Sequence, residues 1–283
     1  MEKSDRLQVA LAAANEAADI IQSFAGSLHH GAGVENKVVD GSQMGLVTEA
    51  DLSAEKAIIN AIKKEFPGDS FLAEESQTVA VEAEHLWVID PLDGTNNFAH
   101  GIPHYSTSIG YYHDGTAKCG VITNPATGET FLAEQGRGAW IGDDTPVQVS
   151  PCSELNDSII ATGFYYDRGA MMRATLATIQ DLFELNIRGI RRFGSAALDL
   201  AFVGTGRFDA FFEYYLSPWD FGAGRLFVEE AGGKVTDCDG GKIGLKPTHL
   251  LASNHRLHEQ LQKVMRHEPT SGQLLTTKVN DQE

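Results

Sequence analysis

The sequence has few cysteines and no surplus of basic residues, and both scarcities restrict the classes of protein to consider. Three cysteines, Cys119, Cys152 and Cys238, are spread over 283 residues without a Cys-x-x-Cys pair. Neither a zinc centre nor a disulfide framework is indicated, so a cytoplasmic location is expected. Lysine and arginine number 22 against 39 acidic residues, which gives a formal net charge of −17. Such a chain repels phosphate backbones and anionic lipid, so we expect neither nucleic acid nor membrane as a partner.

Long apolar runs and several common motifs are also missing. Asn15, Glu16 and Asp19 interrupt the N-terminal apolar stretch, which argues against a signal sequence or a membrane-spanning segment. The chain has no Walker P-loop, no G-x-G-x-x-G and no G-x-S-x-G, and its ten histidines show no zinc spacing. The segment 237–240, DCDG, is interpreted as a surface turn, because the rest of a calcium-binding loop is missing.

Hydrophobic periodicity divides the chain into two parts. Residues 4–28 and 51–66 have helical spacing, 30–46 form a loop or hairpin, and short strand-like runs follow between 70 and 150. After residue 150 the predicted elements alternate: strand 158–162, helix 169–184, strand 187–192, helix 195–204, strand 208–213, helix 221–231, strand 249–252 and helix 254–266. We therefore predict a mixed α+β and α/β protein. Its expected divisions are an antiparallel lobe over 1–150, an α/β lobe over 151–268 and a disordered tail over 269–283.

The segment 87–98, WVIDPLDGTNNF, places two acids at the end of an apolar strand. Pro91 stiffens the backbone between Asp90 and Asp93, and Gly94 permits a tight turn. Two carboxylates in so small a volume resist ionisation unless a cation joins them, and Mg²⁺ prefers such oxygen ligands. A simple Asp-Gly turn is an equally good interpretation of this segment alone.

Other acids lie at the ends of predicted elements. Glu74 follows a strand in AEES, Asp220 begins a helix in WDFGAG, and Asp51 has capping-box spacing from Thr48. Each has a structural explanation by itself: a solvated loop, an N-cap worth about 1 kcal/mol, or a capping box. Together they favour a metal site assembled from distant parts of the chain.

DPLDGTNNF, the preceding AEES and the later WDFGAG resemble the signature motifs of the inositol monophosphatase family, within the Mg²⁺-dependent, lithium-sensitive phosphatases. The resemblance covers roughly residues 46–233. It implies a five-layer αβαβα sandwich, two or three Mg²⁺ ions, inhibition by Li⁺ and a homodimer. It also implies that metal-activated water hydrolyses inositol monophosphate or a similar polyol or sugar monophosphate.

The resemblance implies roles for individual residues. The expected Mg²⁺ ligands are Glu74, Asp90, the carbonyl of Leu92, Asp93, Asp220 and, for a third ion, Asp51. The expected catalytic residues are Glu74, Asp93 and Thr95. The expected substrate contacts are Gly94, Thr95, Gly194, Ser195, Ala196, Glu213 and Asp220.

Glu213 bears on the choice of substrate. An acid at this position would accept hydrogen bonds from a polyol and disfavour a second phosphate, although it could equally face solvent at the end of a strand. Arg191 and Arg192 could bind a second anionic group, but a solvated strand end is the favoured interpretation. Other substrates remain open with the same chemistry: fructose 1,6-bisphosphate, NADP, phosphoadenosine phosphate and histidinol phosphate. A non-catalytic partner-binding protein of the same fold is the remaining alternative.

Overall fold

The computed structural model describes residues 3–25, 34–39, 42–76 and 82–266, and of 34–39 and 42–47 it describes the backbone alone. The α-helices in these residues are α1 Asp5–Ala25, α2 Glu49–Glu65, α3 Thr95–Ala99, α4 Ala170–Glu184, α5 Ala196–Gly204, α6 Pro218–Glu230 and α7 His258–Gln262. A single 3₁₀ turn covers Leu155–Asp157. None of the helices in the described part combines the length and the apolar character needed to cross a bilayer.

The first half of the chain forms a hairpin and a seven-stranded sheet. The hairpin pairs β1 Val34–Val39 with β2 Ser42–Thr48. The strands of the sheet, in both chain and spatial order, are β3 Ser70–Ala73, β4 His85–Asp93, β5 Ser106–His113, β6 Thr116–Asn124, β7 Glu129–Glu134, β8 Gly138–Ile141 and β9 Thr145–Pro146. β3 runs parallel to β4, and the other neighbours are antiparallel.

The second half forms a five-stranded sheet. Its strands are β10 Ile159–Thr162, β11 Gly189–Arg191, β12 Ala210–Leu216, β13 Gly233–Thr236 and β14 Thr248–Asn254. Their spatial order is β11-β10-β12-β14-β13. β10 is parallel to both of its neighbours, whereas β14 is antiparallel to both of its own. The sheet is therefore mixed, with its parallel part joined by crossover helices.

Alternating side chains show which helices cover each sheet. In the five-stranded sheet, Phe211 and Leu250 pack with α5 and α6, whereas the adjacent Phe212 and Leu251 pack with α4 and α7. In the seven-stranded sheet, Val121 packs on the side of α1 and α2, and the next residue packs against α5 and α6. This period of two puts α5 and α6 between the sheets. The five-layer αβαβα arrangement is confirmed.

β4 is the strand that positions the candidate site. Trp87 and Ile89 lie in the core beneath α1 and α2, while Leu86 and Val88 pack on the opposite face with Tyr112. All five side chains are 1% exposed or less. Burial on both faces fixes the strand, so the acids at its carboxyl end leave a rigid support.

Some predicted elements differ from the observed ones. The first sheet is not wholly antiparallel, because β3 joins β4 in parallel. α6 begins at Pro218 rather than at 221, α7 is shorter than the predicted 254–266, and β13 was not predicted. The predicted hairpin lies partly, and the predicted tail over 269–283 wholly, outside the described residues. The division into lobes at residue 150 stays a prediction.

Candidate active site

The carboxyl end of β4 contains a β-bulge. Asp90 pairs with Ser108 and Asp93 with Ser106, so the two residues between them face a single residue of β5. The Thr107 hydroxyl donates to the Pro91 carbonyl at 2.9 Å, which holds the bulge. An extra residue of this kind redirects the side chains that follow it. The bulge therefore lets both acids serve one site, although they are three positions apart.

Gly94 makes the turn after the bulge in the left-handed region, with φ = +93°. A Cβ atom at this position would lie 3.1 Å from the His104 carbonyl oxygen and 3.2 Å from that of Gly194. A side chain would suffer both strain and crowding. Glycine is required here because the first motif approaches the loop at Gly194 backbone to backbone.

Asp90 and Glu74 meet where β3 and β4 run in parallel. The Glu74 N–H donates to the Ile89 carbonyl at 3.2 Å, and the two carboxyl groups are hydrogen-bonded. Asp90 is 1% exposed, and burial raises its pKa well above the usual range. Three nearby carboxylates raise that pKa further: Glu74, Asp93 and Asp220.

Asp93 is held by the beginning of α5. Its Oδ2 accepts hydrogen bonds from the Ser195 hydroxyl at 2.6 Å and from the Ala197 N–H at 2.7 Å. Burial raises the pKa of Asp93 to about 6, although these two bonds oppose the shift. Since both bonds use one oxygen, Oδ1 is the atom of Asp93 that is left to bind a cation.

Ser195 also caps α5 and connects three parts of the site. Its hydroxyl oxygen accepts from the Leu198 N–H at 3.3 Å and lies 3.1 Å from the Ser106 hydroxyl. Ala196 is the first residue of α5. The expected substrate contacts Gly194, Ser195 and Ala196 therefore lie beside Asp93, with the Ser195 hydroxyl already used to hold that acid.

Asp220 occupies the third position of α6, not the N-cap that the sequence suggested. The helix begins at Pro218, and Asp220 Oδ2 accepts from the N–H of Ser217, the capping residue, at 2.6 Å. Burial raises the pKa of Asp220 well above the usual range, and the charges of Glu74 and Asp93 add to the shift. The capping bond thus uses one carboxylate oxygen and leaves the other for a ligand.

Asp51 has the equivalent position in α2, as the capping-box spacing predicted. Its Oδ2 accepts from the Thr48 N–H at 2.8 Å and the Thr48 hydroxyl at 2.6 Å. Its Oδ1 lies 3.1 Å from the Thr95 hydroxyl, which is also 3.1 Å from the Leu92 carbonyl oxygen. Burial raises the pKa of Asp51 to about 6. Asp51 is therefore both a capping residue and the partner of Thr95.

These acids form one electrostatic group. Among the described residues, no lysine or arginine is one of the main influences on the pKa of Asp51, Asp90, Asp93 or Asp220. Burial and mutual repulsion disfavour the negative charges of these acids, and every ligand atom that they offer is oxygen. Such a set fits a hard divalent cation and does not fit a soft one.

Glu213 lies on β12 at a break in its pairing with β14. Its carboxylate occupies the space where a Cβ atom of Gly163 would be. Burial raises the pKa of Glu213 to about 8, and Asp199 and Asp93 raise it too, whereas the positive charge of Arg192 lowers it. Glu213 is thus packed at the site and is not directed into open solvent.

Two residues outside the predicted set also bear on this site. Arg192 is exposed, as the sequence suggested, and its positive charge also lowers the pKa values of Glu213 and Asp199. The Tyr166 hydroxyl lies 3.4 Å from the Asn96 amide at the rim. Proximity to Gly194 was the available signal for Arg192. Arg191 is exposed as well, and its guanidinium donates to the Ile190 carbonyl.

A five-layer sandwich with a carboxylate-only site beside the central helices defines a metal-dependent phosphatase. The chain belongs to the inositol monophosphatase family, whose model matches residues 2–269. It is therefore a phosphoric monoester hydrolase of that family.

Relatives support the assignment over most of the chain. An inositol-1-monophosphatase of Caulobacter vibrioides is 39% identical over 223 residues, or 78% of this chain and 87% of the relative. A fructose-1,6-bisphosphatase/inositol-1-monophosphatase of Thermotoga maritima is 38% identical over 220 residues, which is 78% of this chain and 82% of the relative. The crystal structure of the extragenic suppressor protein suhB of Bartonella henselae has a TM-score of 0.85 and 37% identity, and the match covers 93% of this chain and 99% of that one.

Proposed function

We propose that the chain hydrolyses inositol monophosphate or a similar polyol or sugar monophosphate with Mg²⁺. The observation that carries the proposal is the group of buried acids whose pKa values are raised by burial and by one another's charge. The proposed ligands are Glu74, Asp90, the Leu92 carbonyl, Asp93 and Asp220, with Asp51 beside a third ion. Bound Mg²⁺ would neutralise the phosphate oxygens and the leaving alkoxide and would activate the attacking water.

Thr95 and Asp51 are proposed to position the attacking water together with Glu74. The Thr95 hydroxyl donates to Asp51 Oδ1, so its oxygen lone pairs can accept from a water molecule. With a pKa of about 6, Asp51 is ionised at neutral pH and can receive a proton from this hydroxyl. Backbone N–H groups of Gly94 and Thr95 are proposed to bind the phosphate.

The alcohol part of the substrate is proposed to contact Glu213 and the N–H groups of residues 194–196. A carboxyl group with a pKa of about 8 is protonated in most molecules at pH 7, so it can both donate to and accept from a hydroxyl group. This bonding pattern suits polyols.

Arg192 supports a second candidate class. Its charge acts on Glu213, which weakens the argument that an acid there excludes a second phosphate. Bisphosphates such as fructose 1,6-bisphosphate, and NADP, therefore remain candidates, and the Thermotoga maritima relative is named for both activities.

Three further properties are proposed from the family resemblance: inhibition by Li⁺, a homodimer and a cytoplasmic location. Leu176 and Phe183, seven residues apart on α4, are 49% and 51% exposed, which gives a homodimer an apolar surface to cover. The three free cysteines fit a reducing compartment.

The test is phosphate release with Mg²⁺, with and without Li⁺, from inositol 1-phosphate, fructose 1,6-bisphosphate, NADP, phosphoadenosine phosphate and histidinol phosphate. We expect Li⁺-sensitive preference for inositol 1-phosphate, and Asp93→Asn should reduce kcat by roughly 10²–10³-fold or more. Asp144→Asn, at an exposed turn, is the matched control. Near-normal turnover by Asp93→Asn at saturating Mg²⁺ would refute the proposed site. Preference for another ester would support the proposed metal site but would contradict inositol 1-phosphate as the substrate.

A further inference from the structure

Outside the carboxylate site, two clusters in the described residues bring three metal-binding atoms within 4.8 Å of one another. The first comprises Glu84, His85 and His113. His85 opens β4 and lies directly opposite His113, the last residue of β5. Their rings stack with centroids 4.8 Å apart and planes 10° apart. Because the two histidines are 28 positions apart in the sequence, only the pairing of β4 with β5 brings them together.

The distances suit a small metal ion. Glu84 Oε1 lies 3.4 Å from His113 Nε2 and 3.7 Å from His85 Nε2. Bonds of about 2.0–2.2 Å in a tetrahedral site separate neighbouring ligand atoms by roughly 3.3–3.5 Å. Asp114 Oδ2, 3.7 Å from His113 Nε2, is within reach as a fourth ligand. The two imidazole ligand atoms lie within 4.8 Å of each other, so these partly exposed side chains must rotate for all the ligand atoms to converge on one ion.

Tyr111 orients one of the imidazole rings. Its hydroxyl oxygen lies 2.8 Å from His85 Nδ1, and its aromatic ring is buried. When Nδ1–H donates to this oxygen, Nε2 has the free lone pair and faces Glu84. Metal-binding histidines are commonly held in this way, with the second ring nitrogen bonded to a fixed acceptor.

The second cluster, Asp237, Asp239 and His249, lacks this arrangement. His249 Nδ1 accepts from the Cys238 N–H at 3.0 Å, so in the neutral ring Nε2 carries the proton. That proton faces Asp239 Oδ2 at 3.8 Å. Asp237 Oδ1 already accepts from two backbone N–H groups of the turn. The segment is the surface turn that the sequence suggested, and its histidine offers no lone pair.

We propose that Glu84, His85 and His113, with Asp114 as a fourth donor, form a binding site for a transition-metal ion of the Zn²⁺ class. Two imidazoles with one or two carboxylates favour Zn²⁺, Cu²⁺ or Ni²⁺, whereas Mg²⁺ takes oxygen ligands. His85 is five residues from Asp90 along β4, or roughly 16 Å at the rise of a strand. The site is thus distinct from the carboxylate site and selects a different ion.

The test is calorimetric titration of Zn²⁺ into the metal-stripped full-length chain, in excess Mg²⁺ that occupies the carboxylate site. We expect one Zn²⁺ ion to bind per chain, and we expect His113→Gln and Glu84→Gln each to reduce the affinity for this ion at least tenfold. His249→Gln, which removes the histidine of the other cluster, is the matched control and should leave the affinity for this Zn²⁺ ion unchanged. Tyr111→Phe should weaken it roughly tenfold through loss of the Nδ1 partner.

Circular dichroism and Mg²⁺-dependent phosphate release verify that each variant is folded. The readout is Zn²⁺ affinity, so the outcome is independent of the proposed substrate. Equal Zn²⁺ affinity in the wild type, His113→Gln and Glu84→Gln would overturn the proposal. Loss of Zn²⁺ binding in His249→Gln alone would overturn it as well.

Discussion

Gly163 shows how one missing side chain can determine substrate recognition. The Glu213 carboxylate fills the space that a Cβ atom at position 163 would need. We expect Gly163→Ala to displace Glu213 and to raise KM for a polyol monophosphate roughly tenfold, with a smaller effect on kcat. Gly244→Ala is the control, because a Cβ atom there meets nothing within 4 Å. Steady-state kinetics with both variants decide the matter, and an unchanged KM in Gly163→Ala would mean that Glu213 does not contact the substrate.

The Thr95 hydroxyl is a second residue that can be tested alone. It lies 3.1 Å from both Asp51 Oδ1 and the Leu92 carbonyl oxygen. Thr95→Val keeps the shape but removes this contact, and we expect kcat to fall by roughly 10²–10⁴-fold, as for loss of a proton-transfer group. Thr95→Ser, which retains the hydroxyl, should recover most of the rate. Equal rates for the two variants in phosphate-release assays would show that the hydroxyl has no role.

At the scale of the element, the first turn of α5 holds one acid of the site and buries another. Its first turn holds Asp93 through the Ala197 N–H and also contains Asp199, which is 1% exposed. Asp199 Oδ1 faces His104 Nε2 at 3.7 Å, and among the described residues neither atom has a hydrogen-bond partner. Burial raises the pKa of Asp199 well above the usual range and lowers that of His104, so both are favoured in their neutral forms.

The burial of Asp199 predicts that Asp199→Asn stabilises the folded protein, and that the gain is larger at higher pH. A carboxyl whose folded-state pKa is raised stabilises the protein below its unfolded pKa and loses that contribution as the pH rises. Asparagine does not titrate, so the variant should unfold a few degrees higher at pH 7.5, with a smaller difference at pH 4.5. Thermal unfolding in EDTA measures this, with Asp144→Asn as the exposed control. A lower unfolding temperature at pH 7.5 would show that Asp199 is ionised and paired.

Local patterns explain which elements the sequence could predict. Strands β12 and β14, which are short apolar runs, and the capping box at Asp51 are encoded by neighbouring residues, and all three were predicted. α6 was begun too late because Ser217 and Pro218 were not interpreted as an N-cap followed by a first-turn proline. β13 was missed because its glycines were interpreted only as the end of a helix.

Non-local pairs explain what could not be predicted at the site. The acids were found because each lies within a recognisable motif. Gly163 beside Glu213 and Asp199 beside His104 arise only when distant segments pack together. No periodicity or motif links such residues, so the sequence alone gives no signal for them.

At the scale of the whole molecule, the site connects the two sheets. Glu74, Asp90 and Asp93 lie at the ends of strands in the seven-stranded sheet, whereas Asp220 belongs to α6 in the central layer. Their mutual repulsion opposes the packing of α6 on that sheet when no cation is present. Mg²⁺ ions bound by these acids would stabilise the contact between the layers as well as the bound substrate.

This repulsion predicts that stabilisation by Mg²⁺ grows with pH. The folded-state pKa values of Asp51 and Asp93 are raised to about 6, and those of Asp90 and Asp220 are also raised well above the usual range. The metal-free protein therefore loses stability as the pH rises through these values, while Mg²⁺ competes with fewer protons. At a Mg²⁺ concentration a hundred times its Kd, binding contributes about 2.7 kcal/mol, which raises the unfolding temperature by several degrees.

Thermal unfolding with Mg²⁺ and with EDTA, at steps from pH 5 to pH 8, measures this increment. We expect it to be small at pH 5 and to increase through pH 7, and Asp93→Asn should lose most of it. A bound cation replaces the protons that otherwise relieve the repulsion, so the increment must follow the titration of the acids. An increment of the same size at pH 5 and pH 8 would mean that Mg²⁺ stabilises the chain elsewhere.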